Sequence, residues 1–388
     1  MKIGIFGGSF NPPHIGHIAA AEKTVKDLKL DKLIIIPAGD PPHKILPIET
    51  PNDEQRLNLV KAAFSHIDIA EISDIEMKRQ GKSYTITTIE YFKEKYPDAE
   101  IYLLMGTDMF LTLDGWFRGD EILKMVIPVV FAREHAEDEI IKNKSEEYKT
   151  KFCTNSEIID IDVTEAASTD IRYLLQNRKG RELLSDEVYW LIVKNRFYGV
   201  KPNFEWLREK SYELHKPKRI PHVKGCEEEA GRLAERWGID IETAREAGIL
   251  HDITKKLSLE DQLILCSKYG ILNDALENKS EKLLHSKTGA ALSRDLFGIP
   301  DDIYSAIRWH TTGRADMTLL EKIIYLADYV EPNRDFDGVE PLRKLCYEDI
   351  DAAMKLGLKM SIEDLEDRGS PIHEKTFEAY NYYSKVKG

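Results

Sequence analysis

The sequence predicts two domains of unlike class: a doubly wound parallel α/β domain over residues 1–200 and an all-α domain over residues 204–388. Three observations lead there. The chain has 388 residues, more than one typical domain holds. Its first half alternates short apolar runs with helical patterns, the signature of a parallel sheet with crossover helices. Past RFYGVKPN, residues 196–203, strand patterning stops and one amphipathic helix follows another. The linker falls near residues 199–204.

Lys2–Phe6 reads as a buried strand and Ile18–Leu30 as the helix after it. Further strands are expected at Lys32–Pro37, Ile67–Ile72, Glu100–Gly106, Met125–Ala132 and Glu157–Asp162. A helix over Ser83–Tyr96 takes Ser83 as its N-cap. Helices near Ser168–Asn177 and Ser185–Asn195 close this half. In the second half the helices are Glu228–Trp237, Ile241–Leu250, Leu259–Tyr269, Lys282–Leu296, Asp301–His310 and Thr318–Val330, with more beyond.

A formal charge of -13 argues against a general grip on nucleic-acid backbones or anionic membranes. The four cysteines (Cys153, Cys226, Cys266 and Cys346) form no CxxC pair, so neither disulfides nor a zinc-thiolate site are expected. No signal-peptide pattern opens the chain and no run approaches the ~20 apolar residues of a membrane span. A cytoplasmic protein is expected, and a homo-oligomer is compatible with the sequence.

GGSFNPPHIGH, residues 7–17, joins the first strand to the first helix. In an open α/β sheet that junction is where phosphates bind. Gly7, Gly8, Ser9 and Phe10 are expected to bring main-chain N–H groups close to a phosphate, with glycine supplying the dihedrals. His14 and His17 are three apart at a helix start, so both imidazoles face one side. Two donors there suit a polyphosphate whose charge grows during attack at phosphorus.

These residues resemble a family. HIGH at 14–17 is similar to the HxGH motif of the nucleotidyltransferase superfamily, and the longer string, with Asn11, resembles bacterial nicotinate-nucleotide adenylyltransferases. The resemblance implies a Rossmann-like fold and transfer of AMP from ATP, with Mg²⁺, to nicotinate mononucleotide. It offers Lys44 of PPHK to the triphosphate. It puts Tyr84 and Thr85 of SYT beside the mononucleotide, and Gly106, Thr107 and Asp108 of MGTD at the nucleotide. Trp116 is expected to stack on the nicotinate ring, and Arg133 is the basic residue after a strand. The family's last motif is roughly I-S-S-T-x-I-R; here AASTDIR retains Ser168, Thr169 and Arg172, with Arg172 reaching the β and γ phosphates. Relatives that adenylylate pantetheine phosphate or cytidylylate polyol phosphates are the alternatives; Trp116 and SYT favour the pyridine nucleotide. KMS at 359–361 resembles part of a synthetase loop but lacks its second lysine and lies in the other half.

The helical half carries HD once, at His251–Asp252, together with His222, His285, His310 and Asp328. Four histidines and two aspartates on helices that must pack together point to a metal centre. That donor mixture suits iron, manganese or zinc rather than Ca²⁺. The order H…HD…H…H…D resembles the HD metal-dependent phosphohydrolases. The words HDITK, WHTTG and ADYVEPNR resemble bacterial HD-domain tetraphosphatases that cut diadenosine tetraphosphate into two ADP. The resemblance implies that His222, His251, Asp252 and Asp328 hold one metal, iron or manganese. His285 and His310 then hold a second metal or touch phosphate, and Lys255, Thr311 and Arg334 meet the polyphosphate. Cys226, one turn from His222, reads as a packing residue. Other nucleotide substrates, or a non-catalytic nucleotide sensor, are the alternatives for this half.

Overall fold

Six strands form one parallel sheet: β1 (Lys2–Gly8), β2 (Lys32–Pro37), β3 (Ala70–Ile72), β4 (Glu100–Gly106), β5 (Ile127–Ala132) and β6 (Glu157–Asp160). Their order across the sheet is β3-β2-β1-β4-β5-β6, with every neighbouring pair parallel. This computed structural model describes residues 1–39, 47, 49–132, 138–161 and 167–385. Lys44 and the rest of PPHK, together with Arg133 and Ala166, lie outside the described residues.

The chain divides into two units, Met1–Lys201 and Pro202–Gly388. The first carries helices α1 (Ile15–Leu28), α2 (Asp53–Phe64), α3 (Thr85–Lys95) and α4 (Thr107–Leu111). It continues with α5 (Gly119–Met125), α6 (Asp138–Phe152), α7 (Ser168–Gln176) and α8 (Asp186–Asn195). Ile3, Ile5, Ile34, Ile36, Leu103 and Met105 share one core with Ile86 and Phe92 of α3, Ile122 of α5 and Tyr148 of α6. Strand order reverses between β1 and β4, so a crevice opens at their carboxyl ends.

The expected first-half elements are present, with shifted ends. β3 is shorter than Ile67–Ile72 because Ala70 N–H turns back to Ile67 O. Met125 ends α5 instead of opening β5. The N-cap of α3 is Tyr84, not Ser83; Ser83 Oγ instead donates to Glu76 O at 3.4 Å. α2 was not singled out by its periodicity, because its buried face carries Arg56, 1% exposed, among apolar residues.

The second unit holds α9 (Phe204–Glu213), α10 (Ile220–Trp237), α11 (Ile241–Leu250), α12 (Leu259–Tyr269) and α13 (Glu281–Phe297). Then come α14 (Asp301–Trp309), α15 (Leu319–Val330), α16 (Val339–Glu348), α17 (Ile350–Asp367) and α18 (Glu374–Lys385). α10 begins eight residues before the expected Glu228. Pro221 is tolerated in the first turn, where its missing N–H has no partner to lose. Gly225 is there for space: a Cβ would come 2.1 Å from Glu331 Oε2. KMS lies inside α17. Among the described residues no helix is long and apolar enough to cross a membrane.

Candidate functional sites

In the first unit a cleft of about 600 Å³ opens at the reversal point, between the ends of β1 and β4. Gly7, Gly8, Ser9, His14 and His17 line one side; Gly106, Asp108, Ser168 and Thr169 line it further round. Tyr84, Thr85 and Trp116 complete the wall. The glycines do not act through special dihedrals. Neither has positive φ; that conformation belongs to Phe10, at φ 42. A Cβ at Gly7 would meet nothing within 4 Å, whereas one at Gly8 would come 3.1 Å from the Phe10 ring, so close packing constrains Gly8. The buried Phe10 ring packs edge-on to Phe6 and Phe64 at 5.3 and 5.8 Å, which fixes the loop's turn.

His14 caps α1 and His17 stands three residues on, their ring centroids 3.7 Å apart. His14 N–H donates to His17 Nδ1 at 3.2 Å. A neutral His17 therefore carries its proton on Nε2, as a donor. Gly16 makes room for the pair, because a Cβ would come 3.1 Å from His14 Nδ1.

Several of the expected nucleotide-site residues also hold main-chain or side-chain partners around the cleft. Asn11 is 1% exposed; its amide donates to Thr50 Oγ1 at 2.9 Å and its Oδ1 accepts from Tyr198 OH at 2.8 Å. Arg172 donates to Asn11 O at 2.7 Å and to Thr169 Oγ1 at 3.1 Å. Ser168 Oγ donates to Pro12 O at 3.1 Å. Thr107 Oγ1 donates to Phe131 O at 3.1 Å.

Three residues here escaped the sequence reading. Arg56 donates to Ser9 O at 3.2 Å and Ala38 O at 2.8 Å, tying the ends of β1 and β2 together. Tyr198 is buried, and burial pushes its phenol up, so it stays a donor. Glu76 lines the cleft with its carboxyl raised by burial, against the Thr88 hydroxyl and Arg79.

In the second unit the six expected ligands sit at helix ends and converge. His222 is in the first turns of α10, His285 in those of α13, and Asp328 near the end of α15. His251 and His310 cap the C-termini of α11 and α14, where carbonyl dipoles favour a cation. Each Nδ1 is committed: to Glu331 Oε1 at 3.1 Å for His222, Gly248 O at 2.8 Å for His251, Lys282 O for His285 and Ile307 O for His310, both at 2.7 Å. All four Nε2 atoms therefore turn inward, the tautomer that a ligating histidine adopts.

They surround the fully buried Asp252. Its Oδ2 lies 3.8 and 3.5 Å from Nε2 of His222 and His251. Its Oδ1 lies 3.2 and 3.5 Å from Nε2 of His285 and His310 and makes no hydrogen bond of good geometry. His222 Nε2 is 3.1 Å from Asp328 Oδ1 and 3.4 Å from His251 Nε2. Inward imidazole lone pairs beside two carboxylates are the donor set of a divalent-metal site, and His222, His251 and Asp328 bring their atoms close enough to share one ion.

The electrostatics agree. Burial opposes ionisation of Asp252 and Asp328, but the facing cations and imidazoles hold both well below the usual carboxylate range. Burial also disfavours a charged His251, yet Asp252 and Asp328 outweigh it and push that imidazole up. Burial, reinforced by Lys255, drives His285 down to about 3. Lys255 Nζ donates to His285 Nε2 at 2.9 Å, and Thr311 Oγ1 lies 3.2 Å from the same atom. Arg334 pairs with Asp328 Oδ1 at 2.7 Å.

Arg219 and Glu331 were missed. Arg219 Nε donates to Asp252 Oδ2 at 2.9 Å, and its spacing three before His222 was the available signal. Glu331 lies within the quoted ADYVEPNR but reads as an ordinary surface acid. It is 1% exposed and held by Asn333 N–H at 2.7 Å.

Comparison with known proteins follows this division. The Cytidylyltransferase-like family model matches residues 5–173, and the HD domain model matches 219–333. A Clostridium tetani protein described as a probable nicotinate-nucleotide adenylyltransferase is 36% identical over 51% of this chain and 98% of its own length. One of the same description from Clostridium novyi is 38% identical over 48% of this chain and 92% of its own. A solved Clostridium acetobutylicum structure, described as a "predicted HD superfamily hydrolase involved in NAD metabolism", is 38% identical over 47% of this chain and 98% of its own, with TM-score 0.46. Through its first unit the chain belongs to the nicotinate-nucleotide adenylyltransferase family, and its second unit is an HD domain.

Proposed function

We propose that the chain is a bifunctional enzyme: an adenylyltransferase making deamido-NAD and pyrophosphate from ATP and nicotinate mononucleotide, and a metal-dependent hydrolase cutting diadenosine tetraphosphate into two ADP. The first activity rests on the paired His14 and His17 at the start of α1, facing a cleft whose far wall is Tyr84, Thr85 and Trp116. The mononucleotide phosphate attacks the α-phosphorus in line, and pyrophosphate leaves. His17 Nε2–H and His14 stabilise the growing charge, and no side-chain nucleophile is needed. The described lining residues include only Glu76 and Asp108 as carboxylates, which form no cage, so Mg²⁺ enters on the ATP phosphates. The N–H groups at the start of α3, around Thr85, suit the nicotinate carboxylate. Competing nicotinate and nicotinamide mononucleotides test this: the acid form should be used preferentially, and equal use would contradict it.

The second activity rests on the four Nε2 atoms converging on Asp252. His222, His251, Asp328 and Asp252 Oδ2 would hold the cation, iron or manganese. When bound, it withdraws charge from a phosphoryl oxygen and acidifies water. Lys255 already brings a cation to the His285 side of Asp252. That favours one metal, with Lys255, His310 and Thr311 meeting the polyphosphate and Arg334 orienting Asp328. Water attacks a central phosphorus, and ADP leaves. Product analysis of metal-loaded protein should give ADP alone; AMP plus ATP, or no cleavage, would overturn the reading.

A further inference from the structure

We propose that Cys226 is a thiolate ligand of the cation held by His222, His251 and Asp328, an inference that rests on reading that cluster as a metal site. Cys226 follows His222 by one turn of α10, so both side chains leave the same helix face. Sγ lies 3.4 Å from His222 Nε2 and 3.9 Å from Nδ1, on the side of the nitrogen that turns inward. One donor atom from each of His222, Cys226, His251 and Asp328 falls within 4.8 Å of all the others.

The distances resemble a coordination shell. Metal–nitrogen and metal–oxygen bonds of ~2.1 Å and a metal–sulfur bond of ~2.3 Å put neighbouring ligand atoms roughly 3.0–3.6 Å apart, in a four-coordinate shell or in a five-coordinate one that keeps Asp252 Oδ2. The edges here are 3.4 Å for His222–His251, 3.1 Å for His222–Asp328, 3.9 Å for His251–Asp328 and 3.4 Å for Cys226–His222. Cys226 is 1% exposed and has no disulfide partner. As a thiol it donates weakly to Ala327 O at 3.8 Å, a bond that ligation would give up. Valine would fill the same space, but it could not place a soft donor beside three hard ones. On binding, the S–H bond breaks, the proton passes to solvent and the metal–sulfur bond forms, with no change of oxidation state. The consequence is selectivity: one thiolate tilts the site toward Zn²⁺, Fe²⁺ or Co²⁺ and away from Mg²⁺, and of the two metals proposed above it favours iron over manganese.

Cobalt(II) reads this directly in the full-length chain, without any activity assay. The loaded wild type should show a sulfur-to-cobalt charge-transfer band in the near ultraviolet. Cys226→Ser should lose that band while keeping its bound cobalt and visible ligand-field bands. X-ray absorption of wild-type protein should show a Co–S shell near ~2.3 Å, which needs no variant to fold. Stoichiometric cobalt without band or sulfur shell, or a band surviving Cys226→Ser, would overturn the assignment and leave the metal site standing. Failure to bind cobalt at all would remove both.

Discussion

Replacing Tyr198 by Phe removes one oxygen from the far end of the first unit, yet it should disturb the loop that carries His14. The Tyr198 hydroxyl donates to Asn11 Oδ1 at 2.8 Å across 187 residues of sequence. Asn11 is 1% exposed, so water cannot replace the lost donor. An orphaned buried acceptor costs about 1–3 kcal/mol. For a unit of this size each kcal/mol lowers Tm by roughly 2–4 °C, giving a drop of about 2–12 °C. Calorimetry of the full chain should show it in the first unit's transition. The loop's other ties, Arg172 to Asn11 O and Ser168 to Pro12 O, remain. The loop should therefore shift without unfolding. A sub-ångström displacement of His14 and His17 should lower kcat by roughly ten- to a hundredfold, with KM for ATP much less affected. Wild-type Tm together with wild-type kcat would refute the claim that this buried web positions the loop.

Further outcomes follow from the same geometry. Gly225→Ala drives a methyl into Glu331, which orients His222; metal affinity should fall about 10–100-fold by equilibrium dialysis. Acidification should release the metal. The His251 imidazole is pushed up, so its proton competes from a higher pH than usual; affinity is full above that range and lost as pH falls through it. Metal content measured against pH checks the direction, and an affinity that rose on acidification would contradict it. Trp116→Ala should raise KM for the mononucleotide and leave KM for ATP nearly unchanged, because ring stacking is a ground-state contact.

The sheet was legible because a strand buried on both faces, such as β2 with its run Leu33–Pro37, is apolar after its first residue and flanked by helical periodicity. The His/Asp cluster was legible because its six residues are chemically uncommon on apolar helices. Residues that act through main-chain atoms or from the buried side were not. Arg56 and Tyr198 work by holding carbonyls and an amide far away in sequence, and no local pattern marks a long-range partner. Arg172, expected at the phosphates, and Ser168, expected at the nucleotide, also hold the loop's carbonyls, a role that their motif does not mark. The start of α10 was missed because Pro221 and Gly225 break periodicity for reasons of position and space that appear only once Glu331 is packed against the helix.

Product analysis of three proteins most directly tests whether the chain carries two chemistries at two separate sites. Wild type, His17→Ala and Asp252→Ala are each given ATP with nicotinate mononucleotide and, separately, metal with diadenosine tetraphosphate. His17→Ala should lose at least about a hundredfold in deamido-NAD formation, the scale of removing one electrostatic donor, and still release ADP at the wild-type rate. Asp252→Ala should show the reverse, with bound metal reduced. Near-normal adenylyl transfer by His17→Ala, or ADP release surviving in Asp252→Ala, would contradict the account.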